Sequence, residues 1–382
     1  MAFTDLKDLL PRFADRDARD AEAYPAENLA DLRAAAIPMM PFPRALGGED
    51  ADLATSVRAV EAVATASPST ALLLAMPLGL AGIYGSAVDP PSEHRAHWET
   101  QIARVAADFR TGKLYAACNS EKGAGGSLAA TKTVATKRDG AFLLDGEKIL
   151  ASSGRHADYF FSTAKVTQAD LPGAGVVEFF FVPTGAPGVE IMDDWDGFGM
   201  RSTESQTVRY SAAPAEFMLG FPNFLATVQP LQYFFCLFAA IPLGCAAAVI
   251  RALGDPAPAG PAMRVRLSDA VMRYESLRAY LLETAALWRP GAGPEYAARV
   301  LRTKTYVTQE STKLCAELFA LGGGRHYRRS GALARTVADS FAGTALRPPL
   351  PLALETLAEN FSLGPLASLD AGLDASLNAQ PQ

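Results

Sequence analysis

The sequence has little cysteine and no excess of basic residues, and each shortage excludes a class of protein. Its 382 residues include four cysteines, which are dispersed and form no C-x-x-C pair for zinc or redox chemistry. With 35 Lys and Arg against 41 Asp and Glu, the formal net charge is −6. A domain that binds nucleic acid without sequence preference needs a basic excess to neutralise phosphates. We therefore expect no disulfide framework, no metal site and no nucleic-acid partner.

The first residues of the chain lack the uninterrupted apolar core of a signal peptide, because Asp5, Lys7 and Asp8 lie among them, and we therefore expect no secretion. One uncharged and largely apolar stretch, residues 233–250, reaches the ~18 residues at which a membrane-spanning helix is considered. It is rich in alanine and contains Pro242, and a helix that is apolar on every side can equally be the central helix of a large core. We predict a buried helix, no membrane partner and a cytoplasmic location.

Three zones of the chain differ in their hydrophobic period. Apolar residues recur at helical spacing up to about residue 110, and again after residue 224. Between these zones, short alternating or apolar runs are separated by turn residues, which predicts strands; the dipeptides Asp139-Gly140 and Asp145-Gly146 predict hairpin turns. The sequence therefore predicts an α+β fold with three domains: helical over 1–113, β over 114–222 and helical over 223–382.

A glycine-rich segment lies near the start of the β zone, where residues 118–127 read C-N-S-E-K-G-A-G-G-S. This segment resembles the flavin-binding signature of the acyl-CoA dehydrogenase superfamily, which is close to C-x-T-E-P-G-A-G-S-D. The match continues without a gap through Gly146-x-Lys148 to residues 152–158, and residues 197–203 are similar to the family's G-x-R-x-S/T motif. The resemblance implies an N-terminal helical domain, a central β-barrel-like domain and a C-terminal four-helix bundle. It also implies a homo-oligomer, a dimer or a tetramer, assembled through the bundle.

The same resemblance implies a flavin cofactor, with FAD expected first. A strand edge followed by a glycine-rich turn lets main-chain groups reach a planar ring or a phosphate. By this resemblance, Ala117, Asn119 and Ser120 would lie along the isoalloxazine, and residues 125–127 would lie towards the pyrophosphate or the substrate carbonyl. Ser152 matches the family threonine that approaches flavin N5, and Leu150 stands at the position of a tryptophan that flanks the ring. The implied cofactor-binding residues are Ala117, Asn119, Ser120, Gly125, Gly126, Ser127, Leu150, Ser152, Gly322, Gly323 and Thr344.

The proton acceptor of the family's dehydrogenases is missing from the expected positions. Most members carry that glutamate in a C-terminal Y-E-G-T sequence, and the similar stretch here, residues 341–344, has Ala342 in its place. Other members carry it on the helix before a G-P-L-G turn, which corresponds to Phe234 here. Loss of a general base costs ~10²- to 10⁴-fold in rate. We therefore assign no catalytic residue from the sequence.

Contacts to the adenosine end of FAD are also changed. The family's R-x-F-G loop corresponds to residues 254–261, which contain neither arginine nor phenylalanine, and the glutamine before the later G-G pair corresponds to Phe319. These changes favour looser FAD binding, an FMN-type flavin, or loss of the flavin.

Three functions follow from this pattern. The first is a flavin-dependent oxidoreductase of the acyl-CoA dehydrogenase type that acts on an acyl thioester or a similar small molecule, although Ala342 argues against standard dehydrogenation. The second is a two-component monooxygenase that receives reduced flavin from a partner reductase, as in the similar desulfurisation and hydroxyphenylacetate enzymes, whose S-S-G segment resembles residues 152–154. The third is a protein that keeps the fold without catalysis.

Overall fold

A computed structural model describes residues 2–167, 175–258 and 260–362 of the chain. The N-terminal part is helical, and several of its helices begin at side-chain caps. Asp52 accepts a hydrogen bond from the Thr55 N–H, and Ser67 accepts one from the Thr70 N–H, so the first turn of each helix has a partner for a free N–H group. The helices of this part are α1 (Ala2–Arg19), α2 (Ala26–Ala34), α3 (Leu53–Ala64), α4 (Pro68–Gly85) and α5 (Arg95–Arg110).

Strands occupy the middle of the chain and form one mixed sheet in the described residues. The strand order is β6-β7-β3-β2-β4-β5-β8, and β1 pairs in parallel with β4. Side chains from β1 to β5 and from β7 share a second core, so the sheet curls over its own inner face. The strands are β1 (Tyr115–Ala117), β2 (Val134–Arg138), β3 (Ala141–Ala151), β4 (Tyr159–Val166), β5 (Val177–Pro183), β6 (Val189–Ile191), β7 (Gln206–Ala215) and β8 (Phe217–Met218).

The two Asp-Gly dipeptides have different structures. Asp139 and Gly140 form the turn between β2 and β3, both with positive φ, which confirms the predicted hairpin. The prediction for Asp145-Gly146 is wrong. Gly146 lies inside β3 at a register shift against β7, and a Cβ there would lie 2.5 Å from the Thr133 hydroxyl oxygen. The glycine therefore forms a β-bulge and not a turn.

The C-terminal part is helical again. Helix α7 is packed on both sides, by α3 and α4 of the N-terminal part and by α8 and α9 of its own bundle, with the short α10 against α7 and α9. The helical spacing that returns after residue 224 does not form one continuous helix, because the chain breaks at Gln229, which has positive φ, and at Pro230. The helices are α6 (Phe224–Val228), α7 (Leu231–Gly254), α8 (Pro261–Ala286), α9 (Pro294–Leu321), α10 (Ala332–Ser340), α11 (Ala342–Ala345) and α12 (Leu350–Glu359).

In the part of the chain that the structure describes, two helices are long and apolar enough to cross a membrane by length and composition. They are α4 and α7, and the protein itself buries 94% and 78%, respectively, of their most apolar windows. Residues 233–250 thus lie in a core helix, as the sequence predicted. The α+β architecture of helices, then sheet, then helical bundle is likewise as predicted.

Candidate active site

A cavity of about 310 Å³ lies where the N-terminal helices, the sheet and the C-terminal helices meet. Pockets for small molecules start at about this volume. Most of its lining is apolar or aromatic, and Arg347 is the one charged side chain among the described residues that line it. The lining residues are Leu72, Met76, Ala117, Asn119, Ser120, Leu150, Ser152, Phe161, Phe179, Trp195, Phe198, Gly199, Met200, Ser205, Leu231, Phe234, Phe238, Ala338, Phe341, Ala342, Ala345, Leu346 and Arg347.

One side of the cavity, the strand wall, consists of Ala117, Asn119, Ser120, Leu150 and Ser152. The segment after β1 is fixed to β4, because the Asn119 side-chain oxygen accepts a hydrogen bond of 2.9 Å from the Thr163 N–H. The Ser120 carbonyl accepts a bond of 2.8 Å from the N–H of Ile149 in β3. These bonds bring the ends of two strands together along one side of the cavity.

Leu150 lies in a left-handed backbone conformation, with φ of +60°. This conformation is unusual for a bulky residue and coincides with a register shift between Lys148 and Ala151 in β3. A bulge redirects a side chain away from the regular alternation of the strand. Here it directs Leu150, which is 45% exposed, to the cavity.

A buried ion pair lies behind the strand wall. The Lys148 ammonium is 2.6 Å from a Glu121 carboxylate oxygen, and the exposed fractions of the two side chains are 0% and 4%. The same carboxylate accepts hydrogen bonds from the N–H groups of Lys132 and Thr133. Burial raises the pKa of Glu121, but the hydrogen bonds from Lys148 and the Lys132 N–H outweigh it and lower that pKa to about 2. The pair holds the loop after the strand wall in place.

Ser152 ends a chain of hydroxyl groups. Its oxygen is 2.9 Å from that of Ser205, which is 2.7 Å from that of Thr203, and Thr203 donates to the Met200 carbonyl over 2.8 Å. Each hydroxyl has a single proton to donate. Since Thr203 uses its proton on a carbonyl, Ser205 donates to Thr203 and Ser152 donates to Ser205. Ser152 therefore presents an acceptor to the cavity.

The opposite side, the C-terminal wall, consists of the lining residues between Ala338 and Arg347. Arg347 Nη2 donates a 2.6 Å hydrogen bond to the Asn119 carbonyl and so links the two walls. Its Nε is buried without a hydrogen-bond partner, and burial lowers the pKa of the guanidinium. Arg347 forms no ion pair among the described residues, and the nearby Glu121 carboxylate offsets only part of the shift in its pKa.

A second buried lysine supports the C-terminal wall. Lys304 of α9 donates to the carbonyls of Gly343, Leu346 and Pro348 over 2.9, 2.8 and 2.7 Å. Burial lowers the pKa of Lys304 to about 7. These three bonds fix the backbone on both sides of Arg347.

No described residue that lines the cavity is Asp, Glu or His. Ala342 and Phe234, the two positions at which the family's glutamate is expected, both line the cavity and neither can accept a proton. The nearby carboxylate of Asp339 lies in a neighbouring cavity of about 600 Å³ and accepts the Met200 N–H over 2.6 Å. Burial raises the pKa of Asp339 to about 7. Asp339 does not line the main cavity.

The structure brings five of the predicted cofactor-binding residues together in the strand wall. The other six lie outside the cavity lining. Gly125 is exposed with positive φ, a Cβ on Gly126 would lie 2.4 Å from Pro349, and the Ser127 N–H donates to the Ala124 carbonyl. Gly322 and Gly323 follow the end of α9, and the Thr344 hydroxyl donates to the Phe341 carbonyl.

Sequence reasoning missed Arg347, Ser205 and most of the aromatic lining. A single cation within the apolar segment 345–350 was the available signal for Arg347. Ser205 carried no signal, because its role depends on the pairing of β3 with β7. Phe198 belongs to the segment 197–203 that resembles a family motif, but the sequence alone did not assign it to the site.

The helix–sheet–helix order, with a cavity between its parts, is the architecture that the sequence resemblance predicts for an acyl-CoA dehydrogenase-type fold. The chain belongs to the acyl-CoA dehydrogenase superfamily, and the family model for the acyl-CoA dehydrogenase middle domain matches residues 116–213. It is 23% identical over 336 residues to a probable acyl-CoA dehydrogenase, YngJ, of Bacillus subtilis (strain 168), covering 83% of this chain and 84% of that protein.

Relatives with another activity match as well. A dibenzothiophene monooxygenase of Rhodococcus erythropolis is 30% identical over 290 residues, covering 72% of this chain and 66% of that enzyme. Among solved structures, TdsC from Paenibacillus sp. A11-2, in complex with FMN and indole, has a TM-score of 0.79 at 20% identity. The alignment covers 94% of this chain and 96% of TdsC, and it supports the fold.

The residues present fit a flavin ring. The ring is amphiphilic, with hydrogen-bonding atoms on its pyrimidine edge and an apolar dimethylbenzene edge. The cavity has the same division, since Asn119, Ser120, Ser152, Ser205 and Arg347 supply polar groups and the rest of the lining is apolar. Arg347 also brings a positive charge to the cavity, and its one hydrogen bond among the described residues runs from Nη2 to the Asn119 carbonyl.

Proposed function

We propose that this protein is a flavin-dependent monooxygenase of the acyl-CoA dehydrogenase fold that acts on a small apolar, aromatic substrate. The observation that carries the proposal is the composition of the cavity, which has aromatic side chains on several sides and no carboxylate or imidazole among its described lining residues. Removal of an α-proton requires a base within hydrogen-bond reach. Oxygen transfer to an aromatic substrate requires no such base.

When bound, reduced flavin supplies two electrons to dioxygen, so that one oxygen atom goes to the substrate and the other leaves as water. The protein's own part is to bind, orient and exclude water. Ser152 presents an acceptor, which suits the N5–H that only reduced flavin carries. Phe161, Phe179, Phe234 and Phe238 make the remaining surface apolar and suit a planar substrate stacked or edge-on against them.

FMN is the cofactor we propose, with FAD as the alternative. The glycine turn expected to face the pyrophosphate is covered, since Pro349 packs on Gly126. Residues 254–258 supply no arginine or phenylalanine for an adenosine. Both observations favour a flavin without a dinucleotide tail.

The test combines the purified protein, a separate NAD(P)H:flavin reductase, FMN and an aromatic heterocycle such as indole or dibenzothiophene. We expect an oxygenated product, detected by mass spectrometry with ¹⁸O₂, only when reductase and reduced FMN are present. Product formation without reductase, or none with any of a panel of aromatic substrates, would contradict the proposal.

Acyl-CoA dehydrogenation is the second candidate, favoured by the family-model match and by the long alignment with YngJ. It makes the opposite prediction under anaerobic conditions. Acyl-CoA would bleach the absorbance of bound oxidised flavin without a reductase. We expect no bleaching, because neither Ala342 nor Phe234 can remove the proton.

We also propose that the chain forms a homo-oligomer through its C-terminal bundle. Val265 and Met272 on α8 are 68% and 60% exposed, and Tyr306 on α9 is 53% exposed. Val265 and Met272 are seven residues apart and therefore lie on one face of the helix. Light scattering after size exclusion tests this, and a monomeric mass would contradict it.

A further inference from the structure

Arg347 is the group in the cavity whose role the proposed function leaves open. It is charged, it lines the cavity, and its Nε is buried without a partner. A buried charge without a partner is unfavourable, and a ligand that supplies an acceptor removes that cost.

The guanidinium keeps donors for a ligand. It has five N–H groups, and the hydrogen bond to the Asn119 carbonyl uses one of them. Nε is enclosed by the protein, so the two terminal nitrogens, Nη1 and Nη2, form the fork that can reach two adjacent acceptor atoms. Lys304 fixes the backbone on both sides through the Leu346 and Pro348 carbonyls, and the bond to Asn119 orients the guanidinium itself.

The position of Arg347 indicates which edge of a bound flavin the guanidinium would contact. Its contact with Asn119 places the guanidinium against the polar strand wall, and the apolar lining accounts for most of the remaining surface. The pyrimidine edge of a flavin has two adjacent acceptors, N1 and the C2 oxygen. Upon reduction at neutral pH these atoms carry a negative charge, whereas in oxidised flavin they are neutral.

We propose that the Arg347 guanidinium binds the pyrimidine edge of the flavin at N1 and the C2 oxygen and makes the cavity select reduced, anionic flavin over oxidised flavin. The proposal rests on the proposed flavin function and assigns the selectivity to one residue. It suits an enzyme that receives reduced flavin and must release the oxidised form after turnover.

The test is an anaerobic titration of wild type and Arg347→Gln with reduced and with oxidised FMN. We expect wild type to bind reduced FMN more tightly. The substitution should weaken the binding of reduced FMN about 10- to 100-fold and the binding of oxidised FMN no more than about threefold. The reason is that a charge-assisted hydrogen bond is lost for the reduced form only. The midpoint potential of bound FMN should fall by about 30 mV for each tenfold of selectivity lost. Arg328→Gln, at an exposed arginine, is the control and should change neither affinity.

Riboflavin distinguishes the ring from the phosphate as the bound group. If Arg347 binds the ring, reduced riboflavin loses affinity in the variant as much as reduced FMN does. A loss confined to FMN would assign Arg347 to the phosphate and overturn the proposal. Equal weakening of both redox forms would also overturn it, since it would indicate a merely structural role.

Two further measurements separate a folding defect of the variant from a failure of the proposed flavin function. Thermal unfolding checks that the variant folds, and Arg347→Lys, which keeps the charge but not the fork, replaces it if the glutamine variant unfolds. We expect the lysine variant to keep part of the selectivity. If wild type binds neither flavin form, the flavin function itself is wrong; if it binds both equally, only the role of Arg347 is wrong.

Discussion

The two walls of the cavity are each supported by a buried lysine, but in electrostatically different ways. Behind the strand wall, Lys148 is paired with the Glu121 carboxylate at 2.6 Å. Behind the C-terminal wall, Lys304 has only backbone carbonyls as acceptors. Burial lowers the pKa of both lysines, but the Glu121 carboxylate opposes that shift for Lys148, whereas Lys304 has only carbonyl dipoles. The strand wall should therefore respond less to pH near neutrality than the C-terminal wall.

The same two walls differ in how closely they follow the family. The strand wall retains the resembling segment around 118–127 and the Gly146-x-Lys148 motif. The C-terminal wall has lost the expected carboxylate at Ala342 and has Arg347 close by. The departure from the family's sequence pattern thus falls on the wall that is held without a counter-charge.

The largest effect expected is from Lys148→Met, which breaks the support of the strand wall. The substitution leaves the Glu121 carboxylate buried and unpaired, which costs about 3–5 kcal/mol of stability. Urea denaturation measures the loss. Lys165→Met, at an exposed lysine in neighbouring β4, should change stability by no more than about 0.5 kcal/mol. A loss below about 1 kcal/mol for Lys148→Met would show that the pair does not support this wall.

The second prediction concerns Lys304 and sharpens the contrast in pH response. Burial lowers its pKa from 10.5 to about 7 in the folded state. Between these values the unfolded chain binds one proton more than the folded chain, so stability rises with pH across this window. We expect the stability of wild type relative to Lys304→Met to increase by about 1 kcal/mol per pH unit from pH 7 to 9.

Lys313→Met is the matched control, because Lys313 lies on the same helix, α9, and is exposed. Its stability relative to wild type should not change over this range of pH. Urea denaturation at several pH values measures both differences. A flat difference for Lys304→Met would mean that the carbonyls keep Lys304 charged as effectively as a carboxylate would.

The two walls also show how much the sequence could predict. The strand wall was predictable because its residues follow one another near the ends of β1 and β3, and the predicted positions Asn119 and Ser152 both line the cavity. The C-terminal wall was not, because the backbone on both sides of Arg347 is held by Lys304 of a distant helix, through the Leu346 and Pro348 carbonyls. The Asp-Gly dipeptides make the same point. Local propensity gave the turn at Gly140 correctly, but at Gly146 the pairing of β3 with β7 overrode it.

The smallest effect expected is from Ala342→Glu, which asks whether the lost carboxylate is all that separates the C-terminal wall from that of a dehydrogenase. If it were, the variant would gain flavin reduction by acyl-CoA, since a general base contributes ~10²- to 10⁴-fold. We expect no gain, because the new carboxylate would enter the cavity that holds the unpaired Arg347 guanidinium and would be held ionised beside it. The new carboxylate should instead compete with the flavin for the guanidinium. We expect it to weaken the binding of reduced FMN by about tenfold relative to the uncharged control Ala342→Gln. Anaerobic titration with an acyl-CoA series and with reduced FMN measures both effects. Bleaching by acyl-CoA in Ala342→Glu alone would show that the two walls still have a dehydrogenase's geometry and that the cation does not decide the chemistry.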